Sequence, residues 1–204
     1  MQATGGASLN TSDRAESPRA SSSSRGWRRG AWWAFPVTAL LAYGLDLGTK
    51  TWAVRALDGG RDRELVGDLL TLHLTFNPGA AFSTGTQFTV LLSCLAIAAV
   101  CLVLAFSIRV RDGLWAVAFG LLLAGVGGNL TDRLFREPGP MRGHVVDFLQ
   151  LPNWPVFNVA DMCINVAAGL IILQTFRGVA LDGSRGRDEP VEPGDGPEPD
   201  GARP

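Results

Sequence analysis

The stretch FTVLLSCLAIAAVCLVLAFSI, residues 88–108, carries no charged side chain. As a helix it is long enough to cross the hydrocarbon core of a bilayer, which takes roughly 20 residues. After the link Arg109-Val110-Arg111-Asp112 a second apolar run, GLWAVAFGLLLAGVGGNLTDRL, covers 113–134. So short a link makes the two runs a tight antiparallel pair. Working outward, similar runs lie at 32–57 and 156–176. The expected fold is therefore an all-α membrane protein of four transmembrane helices. Between helices 1 and 2 the texture changes: Leu72-His73-Leu74-Thr75-Phe76 alternates with period two, predicting a small extracytoplasmic β-rich element. Asn77-Pro78-Gly79 ends it with turn chemistry, and Ala80-Ala81-Phe82 leads back toward the second span.

The remaining composition fits one domain with tails. The chain has 204 residues, 47% hydrophobic and 18% charged. Residues 1–29, rich in Ser, Gly and Arg, predict a disordered cytoplasmic arm; 30–177 hold the four-span domain; 178–204 predict a solvated, disordered acidic tail rich in Pro and Gly. A net charge of −1, from 18 Lys+Arg against 19 Asp+Glu, supplies no cationic field and argues against nucleic acid as a partner. Cys94, Cys101 and Cys163 sit in apolar runs and read as small hydrophobes. Leu91-Leu92-Ser93 before Cys94 mimics a lipid-attachment box, but lies too far from the N-terminus to be one.

Arginines in short flanks orient the spans. Arg109 and Arg111 in the tight link, Arg25, Arg28 and Arg29 before the first span and Arg177 after the last place both termini in the cytoplasm. Arg55, Arg61, Arg63, Arg136 and Arg142 fall on the opposite side and dilute the bias. A cleaved signal peptide over 25–45 is the competing account, rejected because the apolar run continues past Asp46 and three more follow.

Ionisable groups inside spans cost several kcal/mol unless paired, which makes them functional candidates. Asp46, Lys50, Asn129, Asp132, Arg133, Asn158 and Asp161 all fall near the outer ends of their spans, with Asp147 in the loop before the fourth. Asp46 and Lys50, at i and i+4, share a helix face and read as a structural ion pair. Arg133 either closes a local salt bridge at a helix end or is held to bind a carbonyl or carboxylate; spacing does not separate these. Asp147 and Asp161 have no basic residue within one helical turn, although His144 stands three positions before Asp147. Two carboxylates in a poorly hydrated site share one proton and suit peptide hydrolysis. The bland alternative, Asp147 capping a turn and Asp161 pairing with Arg133, has a slight advantage on spacing alone.

Other chemistries fit less well. His73 and His144 are the only histidines, without metal-ligand spacing, and neither a GxSxG elbow nor a phosphate-binding GKS/T loop occurs. No metal and no cofactor is expected. Gly125, Gly127 and Gly128 suggest close helix packing rather than a ligand cradle.

Five motifs in order carry a family resemblance: Asp46-Leu47-Gly48-Thr49-Lys50, Asn77-Pro78-Gly79-Ala80-Ala81-Phe82, Gly128-Asn129-Leu130-Thr131-Asp132-Arg133, Val145-Val146-Asp147-Phe148 and Phe157-Asn158-Val159-Ala160-Asp161. Over about residues 30–177 the chain resembles bacterial lipoprotein signal peptidase, the type II signal peptidase, an integral membrane aspartic protease. The resemblance implies that Asp147 and Asp161 are a catalytic dyad. It also implies that Asn77, Gly79, Asn129, Arg133 and Asn158 line the site or position substrate, and that Asp46, Lys50 and Asp132 are structural supports. The implied substrates are diacylglyceryl-modified prolipoproteins, cut on the amino side of the lipidated cysteine beside membrane lipid. The implied location is the bacterial inner membrane, with the site near its outer face and sensitivity to globomycin.

Two rivals belong to other classes. A proton-coupled carrier relaying protons through Asp46, Asp132 and Asp161 predicts inverted repeats, and none is found. A noncatalytic scaffold predicts normal precursor processing without the protein. The sequence sets neither oligomeric state nor preferred precursor.

Overall fold

The structure is a computed structural model that describes residues 25–60, 62–79 and 86–185, without the side chains of 25–32, 86 and 87. Its elements run α1 (Arg25–Ala56), β1 (Arg63–Val66), β2 (Leu70–Asn77), α2 (Thr86–Ser107), α3 (Gly113–Phe135), β3 (Val145–Gln150) and α4 (Val159–Phe176). Helices α2, α3 and α4 are long and apolar enough to cross a membrane by length and composition. Helix α1 is longer, at 32 residues, but Asp46, Lys50 and Arg55 dilute its apolar character, so it does not join them on those grounds. Of the disordered arm expected over 1–29, residues 25–29 instead belong to α1; residues 1–24, the tail beyond 185 and Ala80-Ala81-Phe82 lie outside the described residues.

Helix α3 is the centre of the bundle, packed against α1 on one side and α4 on another, and its glycines set those distances. A Cβ at Gly120 would come within 2.8 Å of Phe35 O on α1, and one at Gly125 within 2.5 Å of Ala160 O on α4. At Gly128 it would strike the Asp46 carboxylate. Gly127 has nothing within 4 Å, so the close-packing expectation holds for Gly125 and Gly128 and not for Gly127. Outward faces are apolar and exposed: Leu40 and Leu41 on α1, Leu91, Leu95 and Leu102 on α2, Ile172 and Phe176 on α4. This inverts the polarity of a water-soluble bundle and matches hydrocarbon solvent.

The β-rich element is a three-stranded antiparallel sheet of order β1-β2-β3. Strand β2 falls where the period-two alternation predicts one; β1 lies outside that alternation. The loop expected around Asp147 is instead a strand, β3. Its residues Val145, Val146, Asp147 and Phe148 are all buried, so the strand lacks the alternation that marks a half-exposed one. It pairs with β2 in the register Thr75↔Asp147, Phe76↔Val146 and Asn77↔Val145. Leu72, Val146 and Phe148 pack with Ala53 and Leu57, joining the sheet to the end of α1.

At the other end of the bundle Val110, Trp115, Ala116 and Val179 form a second buried cluster. Residues 178–185, assigned from composition to a solvated coil, instead fold back on the α2–α3 link. Leu181 O accepts from Arg111 N at 2.8 Å and Val179 O from Trp115 Nε1 at 3.0 Å.

Candidate active site

Asp147 reaches the site from a strand and Asp161 from a helix end. Pairing of β3 with β2 sets Asp147 beside Thr75, two residues before Asn77. Asn77 Nδ2 donates to Asp147 Oδ2 at 2.9 Å. Asn77 is itself pinned by Gly79, whose N–H donates to Asn77 Oδ1 at 2.8 Å. Gly79 has φ +105°, so the backbone favours glycine; a Cβ there would meet Leu92 Cδ1 at 2.7 Å and displace that side-chain end. Asp161 stands at the third position of α4, where Asn158 is the N-cap. Asn158 Oδ1 accepts from Asp161 N at 3.0 Å, and Asp161 Oδ2 accepts from Asn158 N at 3.1 Å, a reciprocal capping box.

Asn158 also joins the two carboxyl groups. Its Nδ2 donates to Asp147 Oδ1 at 2.6 Å and lies 3.1 Å from Asn129 Oδ1. Asn129 Nδ2 in turn donates to Asp161 Oδ1 at 2.9 Å. The cap that starts α4 thus holds one aspartate through its backbone and the other through its side chain. Asp147 is 2% exposed, while Asp161 is half-buried on the wall of an open cleft of about 510 Å³ with Trp154, Val156 and Met162.

Burial pushes the Asp147 carboxyl up to about 6, and the charge of Asp161 adds to that rise; hydrogen bonds from Asn77 and Asn158 and the charge of Lys50 oppose it. A carboxyl group so placed keeps its proton up to about pH 6, well above the usual carboxylate range. The ionic neighbour is Lys50, 1% exposed, whose Nζ is 2.9 Å from Asp46 Oδ2 and 2.9 Å from Asp132 Oδ2 and donates to Asn129 Oδ1 at 3.0 Å. The expected Asp46–Lys50 pair is present and extends to a third partner that spacing did not reveal. Asp132 also pairs with Arg136.

The structure brings together Asp46, Lys50, Asn77, Gly79, Asn129, Asp132, Asp147, Asn158 and Asp161. Both parts of the bland alternative fail in the geometry: Asp147 lies within β3, and no Arg133–Asp161 ion pair forms among the described residues. Nor does Arg133 close a local salt bridge among the described residues. Its Nη1 is buried without a hydrogen-bond partner, in the field of Asp147, Asp132 and Asp161. Sequence reasoning missed Thr89 and Ser93. Thr89 Oγ1 donates to Pro78 O at 2.6 Å, and Ser93 Oγ lies 2.8 Å from Met141 O, so α2 fastens the turns on either side of the site. Hydroxyls within an otherwise apolar span were the available signal.

The family model described as signal peptidase (SPase) II matches residues 38–177. A lipoprotein signal peptidase of Leifsonia xyli is 48% identical over 154 residues, covering 75% of this chain and 71% of that protein. One of Rhodococcus jostii is 46% identical over 149 residues, covering 73% and 75%. A solved bacterial membrane enzyme superposes with a TM-score of 0.62 at 25% identity, over 69% of this chain and 91% of that one.

Proposed function

The chain belongs to the signal peptidase II family, and from that premise we propose that it removes signal peptides from diacylglyceryl-modified prolipoproteins, cutting on the amino side of the lipidated cysteine with Asp147 and Asp161 as a catalytic dyad. As a family member it is a bacterial membrane aspartic peptidase. The observation that carries the dyad is the bridge through Asn158, which holds both carboxyl groups and is itself fully buried.

The chemistry divides between the two by access to water. Asp161, on the cleft wall, accepts a proton from water as the oxygen attacks the scissile carbonyl. Asp147, buried and holding its proton to about pH 6, donates to the carbonyl oxygen. The tetrahedral intermediate collapses as Asp161 returns its proton to the leaving amine and Asp147 recovers its own. Asn77, Asn129 and Asn158 hold the pair, and Arg133, with a free buried N–H, binds a substrate carbonyl oxygen.

In this reading α1 is the fourth membrane-crossing helix. Its charged residues support that assignment rather than oppose it, because Asp46 and Lys50 are buried and paired inside the bundle while Leu40, Leu41 and Leu45 face outward. Residues 30–177 form the peptidase domain, both termini lie in the cytoplasm, the dyad lies near the outer face, and the substrate's lipid chains stay in the bilayer beside the cleft. Globomycin inhibits it by occupying the dyad.

Incubation of the purified protein in detergent with a lipidated precursor, followed by mass measurement of the products, tests this. Scission directly before the lipidated cysteine is expected. An uncut precursor, or one cut elsewhere, overturns it.

A further inference from the structure

At the end of the bundle away from the dyad, a cavity of about 500 Å³ opens between the start of α3, the end of α4 and the folded-back turn of 178–185. Arg177 and Arg185 stand on its walls, exposed and without a side-chain partner among the described residues. Asp112 is the one carboxylate on those walls, and it is occupied: its Oδ1 accepts from Leu114 N and Trp115 N at 3.0 Å and from Gln174 Nε2 at 2.7 Å. The nearby Asp182 carboxylate is turned onto Ser184, accepting from its N at 2.8 Å and Oγ at 2.7 Å.

The arginines are not brought together by chance. Leu181 and Val179 tie the turn to the α2–α3 link and to Trp115, and a bridge between Val179 and Arg185 carries Arg185 back beside the end of α4. Arg109 and Arg111 flank the same link and raise the local positive charge. Below the arginines the wall is apolar, with Leu114 and Val117, and the adjoining outer face of α4 exposes Ile172 and Phe176.

Two guanidinium groups unpaired among the described residues, above an apolar wall at the end of membrane-crossing helices, match a phosphate attached to acyl chains. We propose that this cavity seats the phosphate headgroup of an anionic phospholipid. The lipid belongs to the leaflet opposite the dyad, because α4 alone spans about 27 Å at 1.5 Å per residue. The headgroup pairs with Arg177 and Arg185, and an acyl chain lies along Leu114 and Val117. The site is independent of the peptidase reaction.

The test is native mass spectrometry of the purified full-length protein with phosphatidylglycerol, with phosphatidylcholine of the same chains, and with inorganic phosphate as competitor. The wild type is expected to retain phosphatidylglycerol over phosphatidylcholine. The double variant Arg177→Gln/Arg185→Gln should lose that preference, by roughly five-fold per arginine. Arg55→Gln/Arg142→Gln, at the other end, should keep it. Arg177→Lys/Arg185→Lys, which keeps the charge without the fork, should retain an intermediate preference, and unchanged thermal unfolding of the Gln double variant excludes loss of fold as the cause of its lost preference. Equal phosphatidylglycerol retention by the Gln double variant, or equal retention of the two lipids by the wild type, overturns the proposal. Displacement of the lipid by inorganic phosphate at equal concentration also overturns it, because the site then takes a small anion.

Discussion

Asp46 on α1 and Asp132 on α3 share one ammonium, each 2.9 Å from Lys50 Nζ, and each carboxylate also holds a backbone N–H, that of the residue just before Asp161 or Asp147. Asp46 Oδ1 accepts from Ala160 N at 2.8 Å, and Asp132 Oδ2 accepts from Val146 N at 3.3 Å. Lys50 therefore clamps β3 and α4 together through two acidic intermediaries.

Removing the clamp leaves two buried carboxylates facing each other. Lys50→Met should destabilise the protein by about 3–5 kcal/mol, the usual cost of breaking a buried ion pair from one side. Thermal unfolding in detergent measures it. Lys50→Arg should not restore full stability, because a planar fork does not reproduce the three short contacts of the ammonium. A melting temperature for Lys50→Met equal to the wild type would show that the clamp contributes nothing.

Asp147→Asn and Asp161→Asn should each lower kcat by about 10²–10⁴-fold, the usual range for losing a positioned acid or base. Both proteins should still insert and fold, since the substitution keeps the size of each side chain. Cleavage of lipidated precursor by the purified variants reads this out, and retained turnover by either would remove that residue from the dyad.

The pH dependence follows from the sign of the Asp147 shift. The carboxyl is raised to about 6, so the neutral form persists below that pH and is lost above it. kcat/KM should fall as pH rises through about 6. Asn77 donates to the ionised form and holds the value down. Asn77→Leu should therefore move that limb to higher pH, a shift that general damage to the fold would not produce. A limb that stays in place in this variant counts against Asp147 as the proton holder.

Gly79→Ala should lower both stability and activity. The positive φ costs of the order of 1–3 kcal/mol for a residue with a Cβ, and the added methyl strikes Leu92. Adding Leu92→Ala should recover only the steric part, leaving the strain and the displaced Asn77. Unfolding curves of the single and double variants separate the two contributions.

Helix positions were legible because apolar runs of the needed length announce themselves, and α2 and α3 end within two residues of the bounds read from them. Strand β3 was not legible: a strand buried on both faces shows no alternation, and its aspartate made it resemble a loop. The site residues were legible as polar groups at one depth. Their connections were not, because the Asp46–Ala160 and Lys50–Asp132 contacts join segments far apart in sequence and depend on how α3 packs. The C-terminal turn was hidden for another reason. Its composition is that of a coil, and one valine and two backbone carbonyls fix it in place.

Because Asn158 donates from its backbone to Asp161 and from its side chain to Asp147, the first turn of α4 and the positions of both acids form one unit. Fraying of that turn would release both carboxyl groups together, so their separation is only as rigid as a single helix start.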